Sequence, residues 1–448
     1  MNQTSDTPSP APRAAVLAAI WAVGVVVRLA FIGLEPATAP VADETMWLMA
    51  LKRIPAAHFS PFSNFPIFNP PLYPYFLAAM NAVFGSLAAI KVAQALIGSL
   101  LIPAVSRVAF RVFGPRAAVA AACFAAFYPE LIWYSAHFWC ETLFLSILWW
   151  AIERVMAADD GSSIRTAAVA GALFGLAVLT RETILYLIPL AAMWLAWSKP
   201  SRRPILALTL MAATSLVVAP WTARNWIQFG AFIPVSTGGG LNLYQGNALI
   251  SRGEVYNEYY EKEGKVEQYQ WARMAGIKAI LKRQPGWLFE KIRDEGPRLL
   301  ELDSLALIHL RRRAYADPSC GVYRGVAAIV IVPWILIALG AMLALARAPV
   351  NRKTVFLGGL LVAYLLLHIA THGFSRYRLP VVPVFMILSA ALFELDARAG
   401  NVPSRKLLLG TLLVAWALLS APSALDQLGQ LGFGAPPTHE GFAPVCPG

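Results

Sequence analysis

Long apolar runs separated by short polar connections dominate the chain. Eleven of these runs are long enough to cross about 30 Å of hydrocarbon as helices. They lie near residues 14–34, 87–110, 116–134, 139–157, 165–180, 182–198, 204–222, 324–346, 354–371, 377–396 and 406–421. The pattern predicts an all-α, polytopic integral membrane protein of about eleven transmembrane helices. The apolar stretch Leu72–Gly85 is shorter and follows two prolines, so it predicts an interfacial or re-entrant helix.

Basic residues are unevenly distributed between the connections. With the N-terminus in the cytoplasm, the short outside connections hold only Arg181, Arg376 and Arg378. The inside loops hold Arg107, Arg111, Arg116, Arg154, Arg165, Lys199, Arg202, Arg203, Arg347, Arg352, Lys353, Arg398, Arg405 and Lys406. This asymmetry is the positive-inside signature of membrane proteins. Counting Leu72–Gly85 as a full span would invert every later loop and remove the asymmetry.

This topology predicts five successive segments. They are a disordered cytoplasmic N-terminus at 1–13, a transmembrane module at 14–222 with an outer loop at 35–86, an outer, partly helical segment at 223–323, C-terminal transmembrane helices at 324–421 and an outer tail at 422–448. The only extended polar, helix-forming stretch lies near Glu254–Leu310. Its lysines and arginines do not contradict the topology, because long loops escape the charge rule.

The composition agrees with burial in lipid. Hydrophobic residues make up 58% of the 448 residues and charged residues 14%, whereas soluble proteins carry about 25% charged residues. A water-soluble domain is therefore excluded. The net charge of +12 follows from the topology, so no nucleic-acid partner is predicted. The four cysteines form neither a CxxC pair nor a zinc spacing, so the sequence indicates neither a disulfide framework nor a metal cluster.

Three carboxylates lie at the predicted outer face. Asp43 and Glu44 follow the first span in PVADETMW, and Glu141 opens the fourth span in SAHFWCETLF. Paired carboxylates suit a general base or a metal site. Two alternatives stay open, which are helix capping by Asp43 and stabilisation of a helix start by Glu141. His137 is interpreted as an interfacial histidine rather than a ligand.

Four arginines lie at the same face. They are Arg181 in LTRETILYL, Arg224 in PWTARNW, and Arg376 and Arg378 in HGFSRYRLP. Arginine is the side chain best suited to bidentate phosphate recognition. An ion pair between Arg181 and Glu182, and snorkelling by the last two arginines, are the structural alternatives.

A nucleotide site is not indicated by the glycine-rich segment STGGGLNLYQGN. It fits neither a P-loop nor a dinucleotide fingerprint. A reaction at the outer face, away from the cytosolic nucleotides, therefore needs a substrate that is already activated. A lipid-linked phosphosugar meets this requirement, because its phosphate would engage the arginines and an acceptor hydroxyl would engage a carboxylate base.

The order of these motifs resembles the GT-C membrane glycosyltransferases, specifically the protein O-mannosyltransferase-like group (glycosyltransferase family 39), which includes the lipid A aminoarabinose transferase. The resemblance covers roughly residues 20–390. The matching elements are Arg28 late in the first span, the acidic pair Asp43-Glu44, NPPLYPYFL with Asn69 in place of the usual histidine, Glu141, GLAVLTRE with Arg181, PWTARNW, STGGGLNLYQGN and SRYRLPVVP.

The resemblance implies a role for each matched residue. Asp43 is the expected general base, while Glu44 and Glu141 would orient groups or bind a cation. The expected substrate-binding residues are Arg28, Asn69, Tyr73, Arg181, Arg224, Arg376, Tyr377 and Arg378. Some GT-C enzymes need a divalent cation such as Mg²⁺ or Mn²⁺ and others do not, so the resemblance does not specify the cofactor. The missing histidine leaves a metal or acceptor role for its motif open.

The sequence therefore predicts an inverting glycosyltransferase of the inner (plasma) membrane with a periplasmic or outer active site. Its donor would be a polyprenyl-phosphate sugar in the membrane lipid, and its acceptor (a protein, lipid or glycan) is not specified. A transporter or flippase of a lipid-linked sugar is the main alternative, although no paired repeats with broken helices are visible. A non-catalytic membrane subunit is the third.

Overall fold

Helices make up nearly all of the chain that the computed structural model describes. The described residues are 14–35, 40, 43–56, 67–197, 203–314, 317–348, 350–395, 403–432 and 445–446, and they contain no β-strand. The predicted all-α class is confirmed. The predicted disordered N-terminus at 1–13 lies outside the described residues, as does part of the predicted outer loop at 35–86.

The first half of the chain forms eleven of the described helices. They are α1 (Ala14–Leu34), α2 (Asp43–Ala56), α3 (Leu72–Phe84), α4 (Leu87–Ser99), α5 (Leu101–Val112), α6 (Pro115–Phe127), α7 (Pro129–Ala136), α8 (Glu141–Gly161), α9 (Ile164–Thr180), α10 (Ile188–Ala196) and α11 (Arg203–Phe229). A 3-10 turn, Glu182–Leu187, leads into α10. The bend of 46° between α6 and α7 falls at Tyr128, because the residue before a proline disfavours the helical conformation.

The second half begins with short helices and returns to long ones. They are α12 (Gly238–Asn247), α13 (Arg252–Tyr260), α14 (Gly264–Lys282), α15 (Trp287–Leu300), α16 (Leu305–Arg311), α17 (Cys320–Leu345), α18 (Arg352–Ala370), α19 (Val382–Ala390) and α20 (Pro403–Gln430). The 3-10 segment Ser375–Val381 precedes α19. Helices α13 to α16 fall on the polar stretch that the sequence predicted to be helical.

Several helices have the length and composition to span a membrane. Among the described residues seven qualify, or eight if the bent pair α6–α7 is one span, and they include Ala14–Leu34, Leu87–Val112 and Cys320–Leu345. The chain is therefore a multi-pass membrane protein. The predicted number of eleven is not confirmed, because the predicted spans at 165–180 and 182–198 are short apolar helices and α8 falls outside the qualifying set. Leu72–Phe84 is a short helix, as predicted.

The helix ends gather at two opposite ends of the bundle. At one of them, the basic end, Asp160 accepts from Arg111 at 2.7 Å and from Lys353 at 2.7 Å, while Arg352 pairs with Asp159 at 2.7 Å. These contacts join α5, α8 and α18 through residues of the predicted inside loops. The other end, the loop end, carries the long segments around α2 and α12–α16.

Helices α12 and α15 hold the turn that follows α18 at the loop end. Lys291 donates to the carbonyls of Gly246 at 2.6 Å and Thr371 at 2.8 Å, and it pairs with Glu295 at 3.1 Å. Glu295 also accepts from the backbone N–H of Gly373 at 2.7 Å. Burial lowers the pKa of Lys291, and the neighbouring Glu295 carboxylate opposes that shift. The backbone just before Ser375–Val381 is thereby fixed to α12 and α15.

A disulfide joins Cys320 to Cys446 at the loop end. The interpretation that the cysteines indicate no disulfide was wrong, because pairing across 126 residues depends on tertiary proximity that no spacing rule reports.

Helix α20 continues past Pro422, where the sequence predicted the tail to begin. Arg324 near the start of α17 donates to the carbonyl of Leu431 at 2.7 Å. The end of α20 is therefore held against the start of α17.

Gly246→Ala is expected to destabilise the loop end. A Cβ atom at this position would lie 1.7 Å from the carbonyl oxygen of Thr371, and such overpacking costs about 1–3 kcal/mol of unfolding free energy. The matched control is Gly253→Ala in α13, where the nearest atom would be 3.9 Å away, and it should leave stability unchanged or slightly raised. Thermal unfolding and folding yield in detergent measure both. Equal stability of the two variants would contradict the close approach of α12 to Thr371.

Candidate functional site

The loop end brings Asp43 and Arg376 together. The Oδ2 atom of Asp43, the first residue of α2, accepts a hydrogen bond from Nη1 of Arg376 at 2.7 Å. The side chain of Asp43 is 41% exposed and that of Arg376 is 19% exposed. The carboxylate thus reaches water while its arginine partner is largely enclosed.

A second ion pair joins Glu141 to Arg181. Oε1 of Glu141, at the start of α8, lies 3.2 Å from Nη2 of Arg181, and the Glu141 side chain is only 1% exposed. The alternative of an Arg181–Glu182 pair is not observed, since Glu182 instead accepts from the Ser236 hydroxyl at 2.6 Å. A charge buried this deeply requires an opposite charge in contact.

Tyr377 connects the two pairs. The guanidinium of Arg181 lies 5.4 Å from the centre of the Tyr377 ring, and that of Arg376 lies 5.1 Å from it. Arg376 is also 5.1 Å from the ring of Trp139. All three distances are typical of cation–π contacts. Asp43, Glu141, Arg181 and Arg376 form what we call the four-charge cluster.

Each arginine of the cluster has an N–H group that is not engaged. Nη1 of Arg181 and Nε of Arg376 are buried and have no hydrogen-bond partner within the described ranges. A buried donor left without an acceptor costs about 1–3 kcal/mol. Two such donors, on cations that share one aromatic ring, are suited to an anion with several oxygen atoms.

His372, which the sequence analysis missed, extends the cluster through the Tyr377 hydroxyl. Arg376 donates to this hydroxyl oxygen at 3.3 Å, and Nε2 of His372 lies 3.3 Å away on the same oxygen. Burial lowers the pKa of His372 to about 4, so the ring is neutral at neutral pH. The hydroxyl can therefore donate its proton to Nε2, with the imidazole proton on Nδ1. The sequence feature that could have identified His372 as a candidate is its position just before the SRYR motif.

Arg378 lies outside the four-charge cluster. It donates to the carbonyls of Glu301 and, at 3.2 Å, of Asp303, and it lies 3.7 Å from the Glu130 carboxylate with its side chain 2% exposed. These contacts tie the 3-10 segment to α7 and to the turn before α16. Arg376 and Arg378 are two residues apart, yet only Arg376 faces the cluster.

Arg28 and Tyr73 also have internal partners. Arg28 donates to the carbonyls of Gly24, Ala125 and Ala126, each at 3.0 Å, and so satisfies the C-terminal turn of α6. The Tyr73 hydroxyl donates to Gln94 at 2.8 Å. Within the described ranges, neither side chain makes a hydrogen bond or an ion pair with a member of the four-charge cluster.

The remaining predicted residues lie around α2 and α11. Glu44 accepts from the backbone N–H of Phe138 at 2.9 Å, which attaches α2 to the turn before α8. The Asn69 amide contacts the sulfur of Met46 at 3.0 Å. Arg224 lies 4.7 Å from the Trp221 ring and donates to Asn225 at 3.1 Å.

The described residues do not fit a metal ion held by the protein. Within the described ranges, no group of three or more His, Cys, Asp and Glu side chains could hold one. Both carboxylates of the four-charge cluster are paired with arginines. No step is therefore assigned to a metal.

Comparison with solved structures defines the class of the fold. The chain matches the ArnT protein from Cupriavidus metallidurans bound to undecaprenyl phosphate with a TM-score of 0.54 and 16% identity, covering 93% of this chain and 65% of that chain. It matches the archaeal oligosaccharyltransferase AglB from Archaeoglobus fulgidus, in complex with an inhibitory peptide and a dolichol-phosphate, with a TM-score of 0.52 and 14% identity. That match covers 95% of this chain and 56% of AglB. The fold is therefore that of the GT-C membrane glycosyltransferases.

A match to a family model narrows the resemblance within that class. Residues 69–227 match the family model of dolichyl-phosphate-mannose-protein mannosyltransferases. The predicted resemblance to the protein O-mannosyltransferase-like GT-C group is thereby confirmed. No curated protein sequence matches the chain. The chain spans 65% of the length of the ArnT chain and 56% of the length of the AglB chain.

Replacing the two neighbouring arginines should affect stability differently. Arg378→Met leaves the buried Glu130 carboxylate without its cation, which costs about 3–5 kcal/mol. Arg376→Met leaves Asp43, which water can solvate, so the cost is about 0–1 kcal/mol. Thermal unfolding in detergent measures both. A loss of stability for Arg376→Met as large as that for Arg378→Met would contradict this assignment.

Proposed function

We propose that the chain is an inverting membrane glycosyltransferase that moves a sugar from a polyprenyl-phosphate donor to an acceptor at the outer face. The observation that carries this proposal is the pair of unengaged guanidinium N–H groups beside Tyr377, next to a carboxylate that reaches water. The first feature suits a phosphate, and the second suits a base that meets an acceptor from solution. The acceptor class is left open.

The donor phosphate would bind Arg181 and Arg376. As the bond between the sugar and the phosphate breaks, negative charge grows on the phosphate oxygens, and cations already in position stabilise that charge best. The lipid phosphates bound by the ArnT and AglB structures support a donor of this chemistry. Tyr377 would support both guanidinium groups from one side.

Asp43 would act as the general base. It removes the proton from the acceptor hydroxyl as the oxygen attacks the anomeric carbon, and the electron pair of the breaking bond passes to the phosphate oxygen. Attack from the side opposite the phosphate inverts that carbon. Among the two carboxylates of the cluster, Asp43 suits this role because its side chain is 41% exposed, whereas Glu141 is 1% exposed. Glu141 would hold Arg181, and Glu44 would hold α2 against Phe138.

The loop end would face the outside of the plasma membrane. Its disulfide supports this orientation, because disulfides persist in oxidising compartments and are rare in the cytosol. The basic end would then lie in the cytoplasm, in agreement with the positive-inside rule. In this orientation the donor and acceptor are joined without access to cytosolic nucleotides.

Topology reporters test this orientation. A reporter fused after Arg203, at the basic end, is expected to read cytoplasmic, since basic loops are retained there. A reporter within Glu254–Leu310 is expected to read external. The opposite pair of signals would place the four-charge cluster in the cytosol and contradict the proposed use of a lipid-linked donor.

Asp43→Asn tests the base. Asn caps a helix about as well as Asp but cannot take a proton, so turnover should fall roughly 10²–10⁴-fold with little change in stability. The assay follows release of polyprenyl phosphate from synthetic polyprenyl-phosphate sugars by purified protein, with membrane extract as the source of acceptor. This readout does not require the acceptor to be identified.

The matched control for this prediction is Asp160→Asn. Asp160 is 35% exposed and pairs with a cation at 2.7 Å, as Asp43 does, but it lies at the basic end. Its turnover should stay near that of the unmodified protein. Near-normal turnover of a folded Asp43→Asn protein would refute the base, and movement of the lipid-linked sugar without any phosphate release would favour a transporter.

A further inference from the structure

The carboxylate assigned as base is engaged in the structure. Oδ2 of Asp43 accepts from Arg376 at 2.7 Å, and a carboxylate oxygen that accepts from a guanidinium is poorly placed to take a proton from a hydroxyl. The same guanidinium is one of the two cations assigned to the donor phosphate. Asp43 and the donor phosphate would therefore both bind Arg376.

The charges of the four-charge cluster are already balanced. Two arginines and two carboxylates sum to zero, and both pairs are in contact. A phosphodiester donor adds one negative charge, and the released monoester carries about −1.5 to −2 at neutral pH. In a partly buried site an uncompensated charge is unfavourable. Binding of the donor must therefore displace or neutralise one carboxylate.

Exposure identifies the carboxylate that is displaced. Glu141 is 1% exposed, so leaving Arg181 would strand its charge away from water. Asp43 is 41% exposed and lies at the first turn of α2, so water can solvate it when it leaves Arg376. Arg376 also offers the unengaged Nε donor to an incoming oxygen.

We propose that the donor phosphate and Asp43 compete for Arg376, so that binding of the donor releases the base. This inference rests on the proposed function and adds an order to it, in which the donor binds before the acceptor is activated. In the donor-free protein the base is held inactive by its ion pair. A bound donor makes it free to accept a proton.

The same competition would assist release of the lipid product. After transfer, Asp43 carries the proton of the acceptor hydroxyl and is neutral, so it cannot displace the lipid phosphate. Loss of that proton to water restores the carboxylate. The ionised Asp43 then competes for Arg376 again, which weakens binding of the lipid phosphate compared with the protonated state. The protein returns to its starting state once that phosphate dissociates.

Equilibrium binding of undecaprenyl phosphate to the purified protein in detergent tests the competition. Asp43→Asn removes the competing charge and should tighten binding roughly 3- to 10-fold, the equivalent of about 0.7–1.4 kcal/mol. Asp160→Asn is the matched control, because it removes the same charge from a similarly exposed carboxylate that pairs with cations at 2.7 Å at the basic end. It should change binding less than about 1.5-fold, within ordinary measurement scatter.

A double-mutant cycle separates competition from general repulsion. In an Arg376→Met background, where Arg181 still binds the phosphate more weakly, Asp43→Asn should no longer tighten binding. Equal tightening in both backgrounds, equal tightening by Asp160→Asn, or no tightening by Asp43→Asn would each overturn the competition while leaving the proposed function intact. Failure of the unmodified protein to bind undecaprenyl phosphate, with or without Mg²⁺, would overturn the proposed function and the competition together.

Discussion

Buried guanidinium groups at the end of an apolar bundle need carboxylates in contact, and the arrangement of the loop end depends on this constraint. An unpaired charge removed from water costs several kcal/mol. Arg181 meets Glu141, and Arg376 meets Asp43. Because the two carboxylates stand at the first residues of different helices, α8 and α2, their pairing draws the start of each helix to one point beside Tyr377.

The two ion pairs share a chemistry but differ in exposure, and that difference separates their roles. The Glu141–Arg181 pair is enclosed, so it behaves as a fixed element that keeps one cation in place. The Asp43–Arg376 pair borders water, so its carboxylate can exchange partners at low cost. In the proposed mechanism, the fixed cation holds the phosphate, and the exchangeable one binds the phosphate and releases the base.

The surroundings keep the exchangeable arginine in position. Arg378 binds the carbonyls of the turn before α16, and Lys291 with Glu295 holds the backbone just before the 3-10 segment. These contacts fix the backbone before and after Arg376. The Arg376 side chain itself donates hydrogen bonds to Asp43 and to the Tyr377 hydroxyl. In the proposed function, the donor phosphate would then bind this guanidinium without moving the backbone.

The sequence alone determined the fold class, because burial in lipid depends on local composition, and its charge distribution predicts an outer face for the chemistry. It also predicted Asp43, Glu141, Arg181 and Arg376 as candidate site residues, since ionisable groups at a membrane edge are costly wherever the chain folds, and the structure pairs these four side chains. Tertiary structure decided the rest. It paired Asp43 with a residue 333 positions away, turned Arg378 from Arg376, joined Cys320 to Cys446 and added His372 to the cluster. These outcomes depend on which helix ends meet in space, and hydrophobic periodicity and residue spacing carry no information about that.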